Sequence, residues 1–389
     1  MKKILALALV LVMIASLCAF SASADTDCSS IKFGLITLHD ENSTYDNNFI
    51  MAAKEASEAL GFELVVKTGV SEGEDCYETA CDLADDGCNV IFADSFGHED
   101  YMIRAAKEYP DVQFLHATGY QAQSVGLDNF HDAFASIYEG RYLAGVAAGL
   151  KLQAMIDDGT VTEANYDEDG NVKVGYVGAF TYAEVISGYT SWFLGVRSVV
   201  PNAVMKVTFT GSWYDETAEK EGANTLIADG CALISQHADS MGAPTACETA
   251  GVPDVTYNVS TEEACPNTYV AYSRINWAPF IEYAVESVVN GTEIGTDYVG
   301  TIATGSVEYG KLGAAAAEGT EEKLAEVEAK LVSGELHVFD CSTFTVEGKT
   351  LTSEDDALIV DGYYAESSAA SAPSFAYQID GISLLNSAF

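Results

Sequence analysis

The sequence predicts an α/β protein built as two doubly wound parallel-sheet lobes joined by a hinge, and three observations carry that expectation. From Ile31 the chain repeats one unit: a short β-branched strand, a polar or aromatic turn, then a helix with apolar residues three and four apart. The unit stops at an acidic, turn-rich stretch, "IDDGTVTEANYDEDGN" at 156–171, and then restarts. A length of 389 residues with 48% apolar content is enough for two domain-sized cores and excludes intrinsic disorder.

Taken in order, "IKFGLIT" is the first strand, and the helix "NFIMAAKEASEAL" after it stops at Gly61, a residue suited to the left-handed helix end. "FELVVK", "NVIFAD" and "VQFLHA" are the next strands, with "CYETACDLADDG" and "EDYMIRAAKEYP" as helices between them. Such alternation calls for a parallel sheet with helices on both faces. "HDAFASIYEGRYLAGVAAGLKLQAM" reads as one long helical segment. The second half gives the strands "VKVGYVGA", "AVMKVTFT", "CALISQHA" and "DVTYNV", separated by the helices "YAEVISGYTSWFLGVRSV", "ETAEKEGANTLIADG" and "APTACETAG". "YVAYSRI" and "WAPFIEYAVESVVNG" read as a return to the first half, "EEKLAEVEAKLVSG" as a last amphipathic helix, and "STFTVEGKTL" as a hairpin turning at Glu347 and Gly348. The expected boundaries are therefore 31–155 plus about 275–300 for an N-terminal lobe and 172–268 plus about 301–345 for a C-terminal lobe. Residues 346–389 form a hairpin and an unassigned tail, whose removal is expected to leave ligand affinity unaltered.

The opening residues read as a signal peptide over 1–24: "MKK" gives charge, "ILALALVLVMIASLCAF" an apolar run, and "SASA" the small residues before cleavage after Ala24. The mature chain is thus expected to work outside the cytoplasm, secreted or membrane-associated at a bacterial cell surface. Cys18 offers lipid attachment instead, but Leu17 is bulky where a small residue normally precedes that cysteine, which favours the secreted form. A formal charge of −41, from 18 basic and 59 acidic side chains, repels nucleic acid and keeps an exposed protein soluble. Eight cysteines follow the leader, an even number that permits disulfides, and Cys247 and Cys265, which flank a short strand, are the expected pair. No CxxC or Cys/His spacing suggests zinc, and no cofactor is implied.

In open α/β sheets, ligands sit beyond the carboxyl ends of the strands, where helix N-termini converge. Those positions hold Tyr45 and Asp46; Asp94, Phe96 and His98; His116 and Thr118; Phe180 and Tyr182; Trp213, Tyr214 and Asp215; His237 and Asp239; and Trp277. Flat rings with carboxylates suit a nucleoside, whose base stacks and whose hydroxyls and amines donate, although the same pairing also holds an amine, and single aromatics there also cover the rim of a core. The histidines, each on its own loop, read as hydrogen-bonding groups rather than metal ligands. No G-x-S-x-G, Walker or H-E-x-x-H motif is present, so no enzyme is expected. Asp94 and Asp239 serve either as an acid–base pair or as hydroxyl acceptors.

"STYDNNF", "IYEGRYLAGVAAGL", "KVGYVGAF", "GSWYDE", "LISQHADSMG" and "RINWAPF", in this order, resemble the basic membrane protein (BMP) family, the purine nucleoside receptor A-like solute-binding components of ABC importers. The resemblance covers roughly residues 31–340. It implies a type I periplasmic-binding-protein fold, a small-molecule ligand closed between two lobes, and an ABC permease as partner. It also implies a base sandwiched between two rings: Tyr45 in "NSTYD", where the family has Phe, followed by Asp46 where the family has Asn; and Trp213 in "GSWYD". Asp239 of "HAD" falls where the family recognises its ligand, with Asp94 and His116 as further hydrogen-bonding groups. This sequence departs from the family at "HDEN", which replaces a glycine pair and an acidic residue, and at Thr118, which replaces an aspartate.

Overall fold

The computed structural model describes residues 27–386, so the expected leader and Cys18 lie outside it. The N-terminal lobe alternates β1 (Lys32–Ile36), α1 (Thr44–Leu60), β2 (Glu63–Lys67), α2 (Glu74–Asp85), β3 (Val90–Ala93), α3 (Glu99–Glu108), β4 (Gln113–Ala117), α4 (Ala122–Val125) and β5 (Phe130–Ala135). After α5 (Ile137–Asp157), the second lobe runs β6 (Val172–Gly178), α6 (Ala183–Val199), β7 (Ala203–Phe209), α7 (Glu216–Ala228), β8 (Ile234–Gln236), α8 (Gly242–Ala250), β9 (Asp254–Tyr257) and β10 (Tyr269–Ile275). The chain returns through α9 (Ala278–Asn290) and β11 (Asp297–Gly300) to the first lobe, then ends with β12 (Val307–Tyr309), α10 (Thr320–Ser333), β13 (Ile359–Val360), β14 (Tyr363–Tyr364) and β15 (Ile382–Leu384).

Two sheets result, in the orders β11-β5-β4-β3-β1-β2 and β12-β10-β9-β8-β6-β7-β15. Within these two, every pairing is parallel except β10 with β12, and among the described residues β13 and β14 form a separate antiparallel pair. Parallel strands covered by helices on both faces need apolar side chains on both, which is why β3, β5 and β6 are buried at every position. The chain crosses between lobes at three neighbouring places, held by Ser136 N–H to the Gly300 carbonyl (2.8 Å), Asn276 N–H to the Ser306 carbonyl (2.9 Å), and Asn48 Nδ2 to the Ile275 carbonyl (2.7 Å). Three short backbone passes of this kind form the hinge.

Several boundaries differ from the sequence expectation, each for a physical reason. "FHDAFA" is strand β5 rather than helix, because its polar residues find partners beyond the strand: His131 Nδ1 lies 3.1 Å from the Gly295 carbonyl, and Asp132 accepts from Ala122 N–H at 2.8 Å. Helix α5 packs into the second lobe's core, not the first. Its glycines permit this: a Cβ on Gly145 would stand 2.0 Å from the Trp192 carbonyl oxygen, so α5 and α6 touch backbone to backbone. Strand β10 likewise belongs to the second sheet, and the return begins only at α9. The tail is part of the second lobe: Phe375 is fully buried, stacked on Phe339 at 4.2 Å, and β15 extends the sheet beside β7. The turn at Glu347 and Gly348, both at positive φ, closes a single Val346–Lys349 bridge.

The eight cysteines from Cys28 to Cys341 are free thiols, so the expected Cys247–Cys265 bridge is not formed. Burial pushes the Cys265 thiol up to about 12 and the Cys247 thiol well above its ordinary value.

Candidate functional site

The carboxyl ends of the two sheets face each other across a cleft whose non-atom space, open solvent included, is about 380 Å³. Leu38, His39, Tyr45, Asp46, Ser95, Phe96 and Thr118 line it from the first lobe, and Glu184, Trp213, His237 and Asp239 from the second. The lobes are closed on one another. Thr44 N–H donates across the cleft to the Asp239 carbonyl at 2.8 Å, and the His39 and Tyr214 rings meet at 5.6 Å.

Ser43 caps α1 by accepting from Asp46 N–H, which fixes the helix start and aims its first turn at the cleft. Asp46 Oδ1 accepts from His39 N–H at 2.7 Å, and Oδ2 lies 3.3 Å from His39 Nδ1. Burial pushes the Asp46 carboxyl up, but the bonds from His39 and Ser43 outweigh it and hold the group below the usual range, so Asp46 stays ionised. Tyr45 is braced from behind by Phe49 at 5.0 Å, and its hydroxyl donates to the Asp94 carbonyl at 2.9 Å. Phe96, 38% exposed, spans the cleft mouth, 6.2 Å from Tyr120 in its own lobe and 5.6 Å from Tyr182 in the other.

On the opposite wall, Trp213 rides the loop after β7. Thr210 Oγ1 donates to the Ser212 carbonyl (2.8 Å), Ser212 Oγ to the Tyr214 carbonyl (3.0 Å), and the Trp213 carbonyl accepts from Asp239 N–H (2.9 Å). Phe180 meets the indole edge-on at 5.0 Å. Burial, with the charges of Asp46, Glu219 and Glu184 adding to it, raises the Asp239 carboxyl well above its ordinary value. His237, whose Nε2 lies 3.4 Å from Glu184, is kept neutral by burial. No lysine or arginine is among these lining residues. The cleft is thus a place for a flat, uncharged or cationic molecule rich in N–H and O–H donors.

Of the residues expected from sequence, the structure brings Tyr45, Asp46, Phe96, Trp213 and Asp239 to one cleft. Four stand elsewhere. Trp277 is only 2% exposed and stacks on Phe49 at 4.4 Å inside the first lobe. Asp215 caps α7, accepting from Ala218 N–H at 2.9 Å. Asp94 lies one layer below the wall, fully buried, with Oδ1 accepting from Leu38 N–H at 3.2 Å. His116 is also buried, with Nε2 against the Ser95 carbonyl at 2.8 Å. His39 and His237, strand-end histidines expected to hydrogen bond, also line the cleft, together with Glu184, which the sequence reading does not include. All three follow strand ends, and the emphasis on rings hid Glu184 in the first turn of α6.

A sequence comparison matches residues 37–341 to the family described as ABC transporter substrate-binding protein PnrA-like. A Haloferax volcanii protein, named as an ABC transporter glucose-binding protein, is 31% identical over 81% of this chain and 74% of its own length. A purine-binding protein of Brucella abortus is 30% identical over 76% of this chain and 78% of its own length. Among solved structures, solute-binding proteins of ABC systems from Conexibacter woesei (TM-score 0.65, 19% identity, 79% of this chain and 98% of that one) and Aeropyrum pernix (TM-score 0.65, 16% identity, 84% and 96%) share the fold. Two α/β lobes, a closed cleft between their strand ends and a match over most of the chain lead to one assignment: this protein belongs to the PnrA-like family of ABC transporter substrate-binding proteins.

Proposed function

We propose that the cleft captures a purine nucleoside and that the closed receptor presents it to the permease of an ABC importer outside the cytoplasm. The observation that carries this reading is the pairing of the Tyr45 and Trp213 rings on opposite walls of one cleft, with Asp46 and Asp239 beside them and no cationic side chain in the lining. A base between the rings gains stacking, and ribose hydroxyls and exocyclic amines donate to the carboxylates. A nucleotide's phosphate would meet acidic groups and no counter-charge, so the free nucleoside fits better than its phosphorylated forms. The purine-binding relative from Brucella supports the same class. The reading involves no turnover, and the ligand is returned unchanged.

The test is a thermal-shift and calorimetric panel of purine and pyrimidine nucleosides, their monophosphates and glucose. A nucleoside at one hundred times its dissociation constant should add about 2.7 kcal/mol of stability, and its monophosphate should add none. Glucose, suggested by the name of the Haloferax relative, is the competing ligand. A response to glucose with silence from every nucleoside would overturn the proposal, and recovery of free base by chromatography would replace the receptor with an enzyme.

A further inference from the structure

Behind the first lobe's wall, Glu99, His116 and Asp132 come together although their positions in sequence are far apart. Glu99 opens α3, while His116 and Asp132 are direct partners on the neighbouring strands β4 and β5. All three are buried, at 3%, 0% and 1% exposure, and their nearest ligand atoms lie within 4.8 Å of one another.

Hydrogen bonding fixes which atoms are free. His116 Nε2 is 2.8 Å from the Ser95 carbonyl, and a carbonyl only accepts, so the ring proton sits on Nε2 and Nδ1 carries a lone pair. Glu99 is held by Tyr120 N–H (2.8 Å) and Gln121 N–H (2.7 Å) on Oε1 and by Gln121 Nε2 (2.9 Å) on Oε2. Asp132 Oδ2 accepts from Ala122 N–H at 2.8 Å. His116 Nδ1 and Asp132 Oδ1, 3.7 Å apart, have no hydrogen-bond partner. Two acceptors therefore face each other in a buried place, beside a second carboxylate, with no donor between them.

The Gly119 backbone packs directly against all three atoms. A Cβ built there would stand 2.1 Å from Asp132 Oδ1, 2.5 Å from His116 Nδ1 and 2.6 Å from Glu99 Oε1. Any other residue would clash there, so glycine is what lets the loop lie over the three acceptors.

We propose that Glu99, His116 and Asp132 bind one divalent transition-metal cation. A cation there would match the two unpartnered acceptors, which are costly to leave unmatched in the interior. The competing arrangement is a direct His116–Asp132 ion pair at 3.7 Å, which metal uptake distinguishes. For a cation the 3.7 Å His116–Asp132 separation is close to what is needed, because bonds of about 2.1 Å in a tetrahedral site put neighbouring ligand atoms about 3.4 Å apart. An imidazole nitrogen with two carboxylates suits zinc or manganese better than calcium or magnesium, and two carboxylates neutralise the double charge. The cation would tie β4, β5 and α3 together under the loop carrying Thr118, a cleft residue, and Tyr120, which stacks on Phe96. It would stiffen the first lobe's wall without touching the ligand, and it does not depend on which ligand that is.

The experiment strips the full-length protein with a chelator, adds Zn²⁺ or Mn²⁺ separately, and reads bound metal by elemental analysis and Tm by calorimetry, all without nucleoside. One equivalent is expected, with a Tm rise of about 2–5 °C. Asp132→Asn keeps an acceptor for Ala122 N–H and removes the unpartnered charged oxygen. It should lose the equivalent and the Tm response while its metal-free Tm stays at or above that of the stripped wild type. Glu99→Gln, the second variant should the first fail to fold, should lose the equivalent too. A wild type that takes up neither metal, or variants that keep the full equivalent, would overturn the proposal whatever the nucleoside panel shows.

Discussion

The two walls of the cleft present similar chemistry, a ring and a carboxylate each, but they are held in different ways. The first lobe's wall is pinned from beneath: Tyr45 leans on Phe49, Phe49 stacks on Trp277, and the Tyr45 hydroxyl is tied to the backbone of Asp94. The second lobe's wall is a loop, and Trp213 is held by that loop's own hydroxyl-to-carbonyl bonds and by Phe180, itself near the cleft. One tryptophan therefore belongs to a core and the other to a site, although both follow strand ends in the sequence. Position at a strand end chooses the neighbourhood, and packing behind the residue decides its role.

The sharpest way to break this comparison is to remove each indole. Trp277→Ala empties a buried space shared with Phe49, Phe92 and Phe134 and should lower stability by about 3–5 kcal/mol, as read by denaturant unfolding, with affinity at permissive temperature changed far less. A Trp277→Ala variant with wild-type stability and lost binding would put that ring in the site after all. Phe375→Ala, in the tail, should cost a similar amount, because Phe375 is stacked on Phe339 in the second lobe's core.

Second in size is a pH effect centred on one buried carboxyl of the second lobe. Asp254, at the start of β9, is fully buried with neither carboxylate oxygen partnered, and burial pushes its carboxyl up to about 8. The folded state then holds a proton that the unfolded chain has released, so stability from this group is greatest near pH 4 and is lost as pH rises towards 8, by on the order of 1 kcal/mol per pH unit. His98 in the first lobe has the opposite sign: burial lowers it to about 4, so its contribution is lost as pH falls from about 6.5 towards 4. Asp254→Asn should be more stable than the wild type at pH 8, with the gap closing by pH 5 in paired urea titrations. A gap that grows on acidification would reverse the assignment.

Trp213→Ala comes third. It should leave the unfolding curve almost unchanged and weaken nucleoside binding by about 1–3 kcal/mol, roughly 5- to 150-fold, with Trp213→Phe recovering part of the loss. Full affinity in the alanine variant would leave the second wall without a stacking partner.

How much of this was legible in the sequence follows from how local each feature is. The alternation that gives two parallel sheets is local, as is "GSWYD", in which Gly211 at φ 74° turns the chain and throws Trp213 outward. Strand β5 was hidden because "HDAFAS" lacks β-branched residues, and His131 and Asp132 are satisfied only by partners that pattern reading cannot locate. The tail was hidden for the same reason, since β15 pairs with a strand some 170 residues earlier. Trp277 looked like Trp213 because nothing nearby in sequence announces Phe49 as its stacking partner.

Asp215 offers the smallest and most selective test, because the same "GSWYD" motif that supplies the stacking ring placed it in the site. In the structure its side chain is exposed and accepts from Ala218 N–H, capping α7, so its work is to start the helix that follows the ring. Asp215→Ala should cost about 1 kcal/mol of stability and Asp215→Asn less, since an asparagine oxygen also caps. Neither should change nucleoside affinity measured well below Tm. A tenfold loss of affinity in the asparagine variant, with the cap retained, would mean that this carboxylate reaches the ligand when the lobes close, and the second wall would then carry one more ligand-binding group than the cleft now shows.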